Sequence, residues 1–278
     1  MRISYSGIWE DTVRLVRTHA SLAAALAGVF LFLPALLIGH FLPTPQATEP
    51  ADLIRLFGEH FQANFHWMIL SVILSLAGTL SILMLVFRGP GISVGGAIAA
   101  AFALLIPYFI AVVVTGIPIA FGLLLFLVPG LYLIARFLPL GAVMVAENLR
   151  DPVKAIGRTW ALTKGHGWAI LGLFVLIFVA GFVLASVIGL VIGLILNLAL
   201  PEGLAAFMSL IVSTATSTAL SVAMIFLYAA IYRALSDGRT EAAIVRKADG
   251  PMPPATVRRS DPSRDTDGHG GGSDGRVD

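Results

Sequence analysis

Residues 95–146 read GGAIAAAFALLIPYFIAVVVTGIPIAFGLLLFLVPGLYLIARFLPLGAVMVA, with a single charge, Arg136. As one helix the run would be roughly 75 Å long at about 1.5 Å per residue. A bilayer's hydrocarbon core is only about 30 Å thick and takes about 20 residues to cross. The run must therefore fold back. Two break signals compete, Thr115-Gly-Ile-Pro118 and Val128-Pro-Gly130. Pro129-Gly130 is the stronger turn signal and leaves a second arm, Leu131 to Ala146, long enough to return.

The rest of the chain has the same character. Of its 278 residues 58% are hydrophobic and 12% charged, with a mean hydropathy of +0.91. Soluble domains carry about 25% charged residues, so much of this surface must face lipid. Further spans are expected at about 20–42, 65–87, 168–199 and 204–232, which with 100–127 and 131–147 make six. The expected fold is an all-α membrane protein, a bundle of six transmembrane helices (residues 20–235). An amphipathic helix at 1–19 precedes it, and a disordered tail at 236–278, rich in Gly, Pro, Asp and Arg, follows it.

Charge orients the bundle. Arg2, Arg14, Arg17, Arg88, Arg150, Lys154, Arg158, Lys164 and Arg233 flank one set of span ends, whereas the loop at 43–64 holds only Arg55. The positive-inside rule puts both termini in the cytoplasm. The first span carries Glu10 and Asp11 upstream and no small-x-small cleavage site, so it reads as an uncleaved anchor.

Surface helices are expected before three of the spans. On the first, Trp9, Val13 and Val16 share a face; on the segment at 151–167, Val153, Ile156 and Trp160 share one and Lys154 and Arg158 another; 93–105 is more weakly patterned. Such basic amphipathic helices seat in the headgroup layer. The chain then reads as three copies of surface helix, span, span. A short external helix is expected at 49–63, capped by Thr48.

Small residues suggest how spans meet. Gly181, Ala185, Gly189 and Gly193 recur every fourth residue, as do Ser209, Ser213, Ser217 and Ser221, the last three within the hydroxyl-rich STATSTALS at 213–221. Such ridges let backbones approach closely in lipid. The expectation is ridge-on-ridge packing of spans five and six; a polar pathway is the alternative. Arg136 is a functional candidate because an intramembrane charge costs at least about 2.5 kcal/mol. It shares a face with Glu147 but lies too far away to pair with it. Freed carbonyls, hydroxyls of other spans or a lipid phosphate are its candidate partners. Arg136, Lys154, Arg158 and Lys164 form the candidate phosphate or lipid contact set.

LFLVPGLYLIARFLPLGAVMVAEN (125–148) followed by DPVKAIGRTWALTKGHGWAILGL (151–173) resembles the membrane domain fused to some bacterial glycerophosphodiester phosphodiesterases. That family also has stand-alone six-span inner-membrane members. The resemblance falls on Pro129, Gly130, Arg136, Glu147, Ala155, Arg158, Leu162, Lys164 and Gly165, with Thr159 where Ser is usual and Ile156 where Leu is usual. It covers about residues 90–180. The relatives' catalytic barrel has no counterpart here. The six His are scattered, there is no Cys, and no nucleophile, phosphate-loop or metal motif stands out. The resemblance leaves function open, and the chain as a whole reads as a non-enzymatic inner-membrane scaffold or lipid-associated accessory factor of the envelope, with a small transporter or flippase-like protein for a lipid or amphiphile, using Arg136 and the hydroxyl faces, as the alternative and an intramembrane enzyme third. No cofactor, metal or nucleic acid is implied. The expected partner is membrane lipid, with a membrane protein or a second copy also open.

Overall fold

A computed structural model describes residues 5–43, 45, 50–89 and 93–248, with side chains excepted at 50, 51, 53 and 238–248. The chain divides into two units, Met1–Arg239 and Thr240–Asp278. The first is built of helices: α1 (Tyr5–Ala27), a π-helical turn (Gly28–Phe32), α2 (Leu33–Phe41), α3 (Pro50–Arg88), α4 (Val94–Leu125), α5 (Leu127–Phe137), α6 (Leu140–Ala146), α7 (Pro152–Leu162), α8 (Gly167–Ala199) and α9 (Glu202–Ala248, which continues past it). Six stretches are long and apolar enough to cross a membrane: Tyr5–Phe41, Ile54–Arg88, Val94–Leu125, Leu127–Ala146, Gly167–Ala199 and Glu202–Asp237.

The core centres on the second half of α3. Ala77, Leu80 and Ser81 through Val86 are buried on every side of the helix. A helix that is apolar all round belongs inside, surrounded by other helices. Phe30, Leu104, Val143, Phe226 and Ile231 close around it. Small residues permit the approach. A Cβ on Gly78 would sit 2.7 Å from Cβ of Phe30, and one on Gly141 would sit 3.1 Å from Leu83 Cδ1 and the Tyr108 hydroxyl. By contrast, α8 has no buried residue in its most apolar stretch. Leu176, Phe182, Leu190 and Leu194 on it are all exposed. In water so large an apolar face would demand a partner; lipid supplies one. The protein is an all-α, multi-pass membrane protein.

Several expectations change. The fold-back lies at Phe126, whose extended backbone separates α4 from α5. Pro129 is the third residue of α5, where its missing N–H breaks no helical bond. Pro118 of the rival signal, like Pro107, sits inside an unbroken α4. The fourth expected span is two short helices meeting at Leu138 and Pro139. Thr48 and Glu49 lie outside the described residues, and the helix expected at 49–63 is the first part of α3 rather than a separate element. The expected tail begins as helix, because α9 continues through Ser236 to Ala248; the rest of it, 249–278, lies outside the described residues.

Of the three surface helices only α7 is separate. The first is continuous with its span, and its buried face is Ile8, Thr12 and Leu15, leaving Trp9 exposed. Residues 94–105 are the start of α4. The threefold repeat therefore fails at its surface helix.

Ridge packing between α8 and α9 holds only in part. Gly181 makes room for Leu220, and the Cβ position of Gly193 is 4.0 Å from Ser209 Oγ. Ala185 is half-buried, and Gly189 has open space beside it. Ser213, Ser217 and Ser221 face outward. Their hydroxyls donate to Leu210 O, Ser213 O and Ser217 O at 3.0, 2.8 and 2.9 Å. A hydroxyl satisfied by its own helix needs no second helix, and the buried member of the run is Thr214 instead.

Candidate functional site

The charges at one end of the bundle gather into three linked arrangements. The first is built on Arg136, in the last turn of α5. Residue Arg136 is 5% exposed. Its Nε donates to Thr163 Oγ1 at 2.9 Å, Nη2 to the Trp160 carbonyl at 2.5 Å and Nη1 to the Tyr132 hydroxyl at 3.4 Å. The guanidinium carbon lies 3.6 Å from the centre of the Trp160 ring. Three of the five guanidinium N–H groups are thus used.

The local sequence explains the arrangement. Helix α7 starts at Asp151, whose carboxylate accepts from Val153 N–H at 2.9 Å and Lys154 N–H at 3.2 Å. The Lys154 and Val153 amides hold that carboxyl below the ordinary carboxylate range. The helix ends at Leu162 with Thr163 as its cap, and Gly165 takes φ +86° to turn the chain into α8. The last carbonyls of a helix have no partner within it and carry partial negative charge. Arg136 meets the Trp160 carbonyl there. Thr163 Oγ1 donates to Thr159 O at 2.9 Å, which turns its lone pair towards Arg136. Gly167, opening α8, leaves room for the Tyr132 ring, 2.6 Å from where a Cβ would stand. Tyr132 and Trp168 lie 5.2 Å apart.

The second arrangement joins α6, α7 and α9. Arg158 Nε donates to both oxygens of Glu147 at 2.9 Å, and the Tyr232 hydroxyl donates to Glu147 Oε1 at 3.3 Å. Glu147 in turn raises the Arg158 guanidinium above its ordinary value. In the third, Arg233 donates to Val86 O at 3.1 Å and pairs with Asp11 at 3.7 Å, and Asp11 also pairs with Arg14. Tyr232 and Arg233 are adjacent, so α9 ties α1, α3, α6 and α7 together at this end.

The four candidate contacts separate into two kinds. Arg136 is a pin buried inside the protein, and Arg158, its side chain 41% exposed, is a pin at the surface held by Glu147. Lys154, 3.6 Å from Asp151, and Lys164 are exposed beside Val153, Trp160 and Trp168, which are also exposed. Arg136 and Glu147 do not pair, as their spacing implied, and each is held by α7 or its cap. The Trp160 carbonyl, Thr163, Tyr132, Tyr232 and the Asp11–Arg233 pair were not anticipated. A Lys or Arg facing the end of a predicted amphipathic helix was the available signal for the first two. Among the described residues no group of three His, Asp or Glu converges as metal ligands would.

A different feature lies in the other half of the bundle. An apolar cleft of about 580 Å³ opens between α2 and α3, lined by Val29, Leu33, Leu37, Phe41, Trp67 and Leu70 among others, with Ser71 its one hydroxyl-bearing residue. Its wall begins in the π-helical turn, with Val29, and includes Pro34. A π turn inserts an extra residue into the helical repeat and changes which side chains face a neighbour.

The chain matches no family model, no curated protein and no solved structure.

Proposed function

We propose that this is a non-enzymatic protein of the bacterial inner membrane, a lipid-associated accessory factor or scaffold of the envelope, with both termini in the cytoplasm. Kinship with the membrane domain of glycerophosphodiester phosphodiesterases is part of the proposal. It rests on the residues of the resemblance, several of which (Gly130, Arg136, Glu147, Arg158) occupy the hairpin and the polar pins. The orientation is supported by the links among Asp11, Val86, Glu147, Arg158, Tyr232 and Arg233, which draw the basic span ends to one end of the bundle.

The observation that carries the lipid reading is the cleft between α2 and α3. Its volume is in the range of small-molecule sites, about 300–1,000 Å³. Its lining is hydrocarbon, and it lies within stretches apolar enough to cross the bilayer. An acyl chain matches that chemistry. The exposed Trp160 and Trp168 beside Lys154 and Lys164 suit a headgroup layer with anionic lipid. A transporter would need Arg136 on an open polar route, and the engagement of its donors by α5 and α7 weighs against that alternative.

Native mass spectrometry of protein extracted in mild detergent tests the proposal. Co-purifying lipid is expected on the unaltered protein and lost when Leu37→Trp and Leu70→Trp fill the cleft. Equal lipid on the filled and unfilled proteins would overturn it.

A further inference from the structure

The cleft between α2 and α3 has a floor, and a glycine makes it. On Gly78 of α3 a Cβ would stand 2.7 Å from Phe30 Cβ and 2.9 Å from Leu31 Cδ1, so only a residue without a side chain lets α3 meet the π-helical turn there. Leu74, one turn earlier in α3, already lines the cleft. At its other end α2 leans away from α3. A Cβ on Gly39 would stand 2.8 Å from Leu210 Cδ1 of α9, and the His40 ring lies edge-on to that of Phe207 at 5.2 Å. With its base held to α3 and its tip to α9, α2 leaves a wedge between itself and α3. The wedge is closed at Phe30 and Gly78 and has its mouth at Phe41, Leu42 and Trp67. Val29, Leu33, Leu37 and Leu70 are exposed along its flank, so a chain can enter sideways from the bilayer.

Lengths place the wedge in one half of the membrane. Counted from Arg17 at the basic end, Val29 is 12 residues along and Leu42 is 25, about 18 and 37 Å. Counted from Arg88 at the same end, Leu74 is 14 residues along and Trp67 is 21, about 21 and 31 Å. Both helices put the floor past the middle of a hydrocarbon layer of about 30 Å and the mouth at its far edge. The groove is about 10–20 Å long, one leaflet deep.

The mouth offers no fixed positive charge to a phosphate. Between Arg17 and Arg88 the sequence has one Lys or Arg, Arg55. It stands 12 residues beyond Trp67 on α3, about 18 Å, and is held by Asp52 at 3.2 Å and Glu59 at 3.0 Å. His66 and Trp67 are exposed and can hydrogen-bond a head group of either charge type.

We infer that the groove takes one acyl chain of a lipid in the leaflet remote from the basic span ends, and selects that lipid by chain length and not by head-group charge. The chain's end meets Phe30 and Gly78, and its head group lies beside Trp67. An extended chain rises about 1.3 Å per methylene, from C–C bonds of about 1.5 Å, so about 15 carbons fill the longer wall. The inference rests on the proposed reading of the cleft as a lipid site and adds to it the leaflet, the direction and the length limit.

The full chain, stripped of lipid in mild detergent, is offered phosphatidylglycerols or phosphatidylethanolamines with matched chains of about 10 to 20 carbons. Bound lipid is read by native mass spectrometry. Occupancy is expected to peak near about 15 carbons and to fall about fivefold by about 20, where the excess overfills the groove. Both head groups should give the same profile. Leu74→Ala, which deepens the floor, should move the peak to longer chains, and Leu74→Phe to shorter ones. Equal occupancy at all lengths would mean annular lipid only and would overturn the inference. So would a profile set by head-group charge, or a peak that neither variant moves. Those outcomes leave the proposed function standing, whereas no bound lipid at all overturns both. The leaflet is read in vesicles by Trp67, the one tryptophan left when Trp9→Phe, Trp160→Phe and Trp168→Phe are combined. Brominated lipid exchanged into the monolayer on the Pro201–Gly203 side should quench it and the same lipid on the Lys164 side should not; quenching as strong from the Lys164 side would overturn the placement.

Discussion

Replacing Arg136 by Leu tests whether this arginine is a pin. The guanidinium makes two well-placed bonds, to Thr163 at 2.9 Å and Trp160 O at 2.5 Å, and lies 3.6 Å over an indole ring. Hydrogen bonds to charged groups are worth about 1.5–3 kcal/mol each, and a desolvated cation–π contact about 2. Burying the charge costs several kcal/mol, which offsets most of this. Leucine removes that cost but leaves the Trp160 carbonyl, at the end of α7, with only the long 3.4 Å bond from Thr163 Oγ1, a penalty of about 1–3 kcal/mol. The net expectation is a loss of about 2–3 kcal/mol. Arg136→Lys keeps the charge but not the planar fork and is expected to lose about half as much. SDS titration in mixed micelles, followed by the fluorescence of the nearby Trp160 and Trp168, measures both. A double-mutant cycle with Thr163→Val should give a coupling of about 1 kcal/mol. Wild-type stability in Arg136→Leu, or additive single mutants, would refute the reasoning.

Two further outcomes follow from the same geometry. Ser213→Leu combined with Ser217→Leu should change stability by no more than about 0.5 kcal/mol, because both side chains face outward and bond only within α9; a large loss in the same titration would mean that this face is covered. The start of α7 should also depend on pH. The Asp151 carboxyl is held below its ordinary range by the Lys154 and Val153 amides. A lowered folded pKa means that the cap contributes above the unfolded value of about 3.9 and is lost as pH falls through the folded one. Hydrogen exchange at Val153 and Lys154 should therefore accelerate, relative to Thr159, only below about pH 4, and in Asp151→Ala the relative protection should be absent at neutral pH as well.

Much of the layout is legible in the sequence. Hydropathy is a local property, so the apolar stretches, the polar turn at Pro201 and the approximate fold-back near Pro129 can be read by length alone. The fifth span, 168–199, differs from α8 by one residue at its start. Asp151 and Pro152 announce the start of α7 by their capping chemistry. Gly181 and Gly193 mark real contacts because small residues matter wherever backbones approach. The serine ridge misleads for a physical reason: a hydroxyl can be satisfied by the carbonyl three or four residues earlier, so its presence does not require a neighbour.

What the one-dimensional order of residues determines here is the solvent: stretches this apolar can be stable only in hydrocarbon. It cannot determine which side of each helix faces protein, because a helix apolar all round has no periodic contrast to read. That is why central α3 and peripheral α8 look alike as text. Only the tertiary structure decides the partners of Arg136, 24 and 27 residues away, of Glu147, 85 residues from Tyr232, and of Arg233, 147 residues from Val86. Such bonds depend on helix ends meeting in space, and no local propensity encodes that meeting.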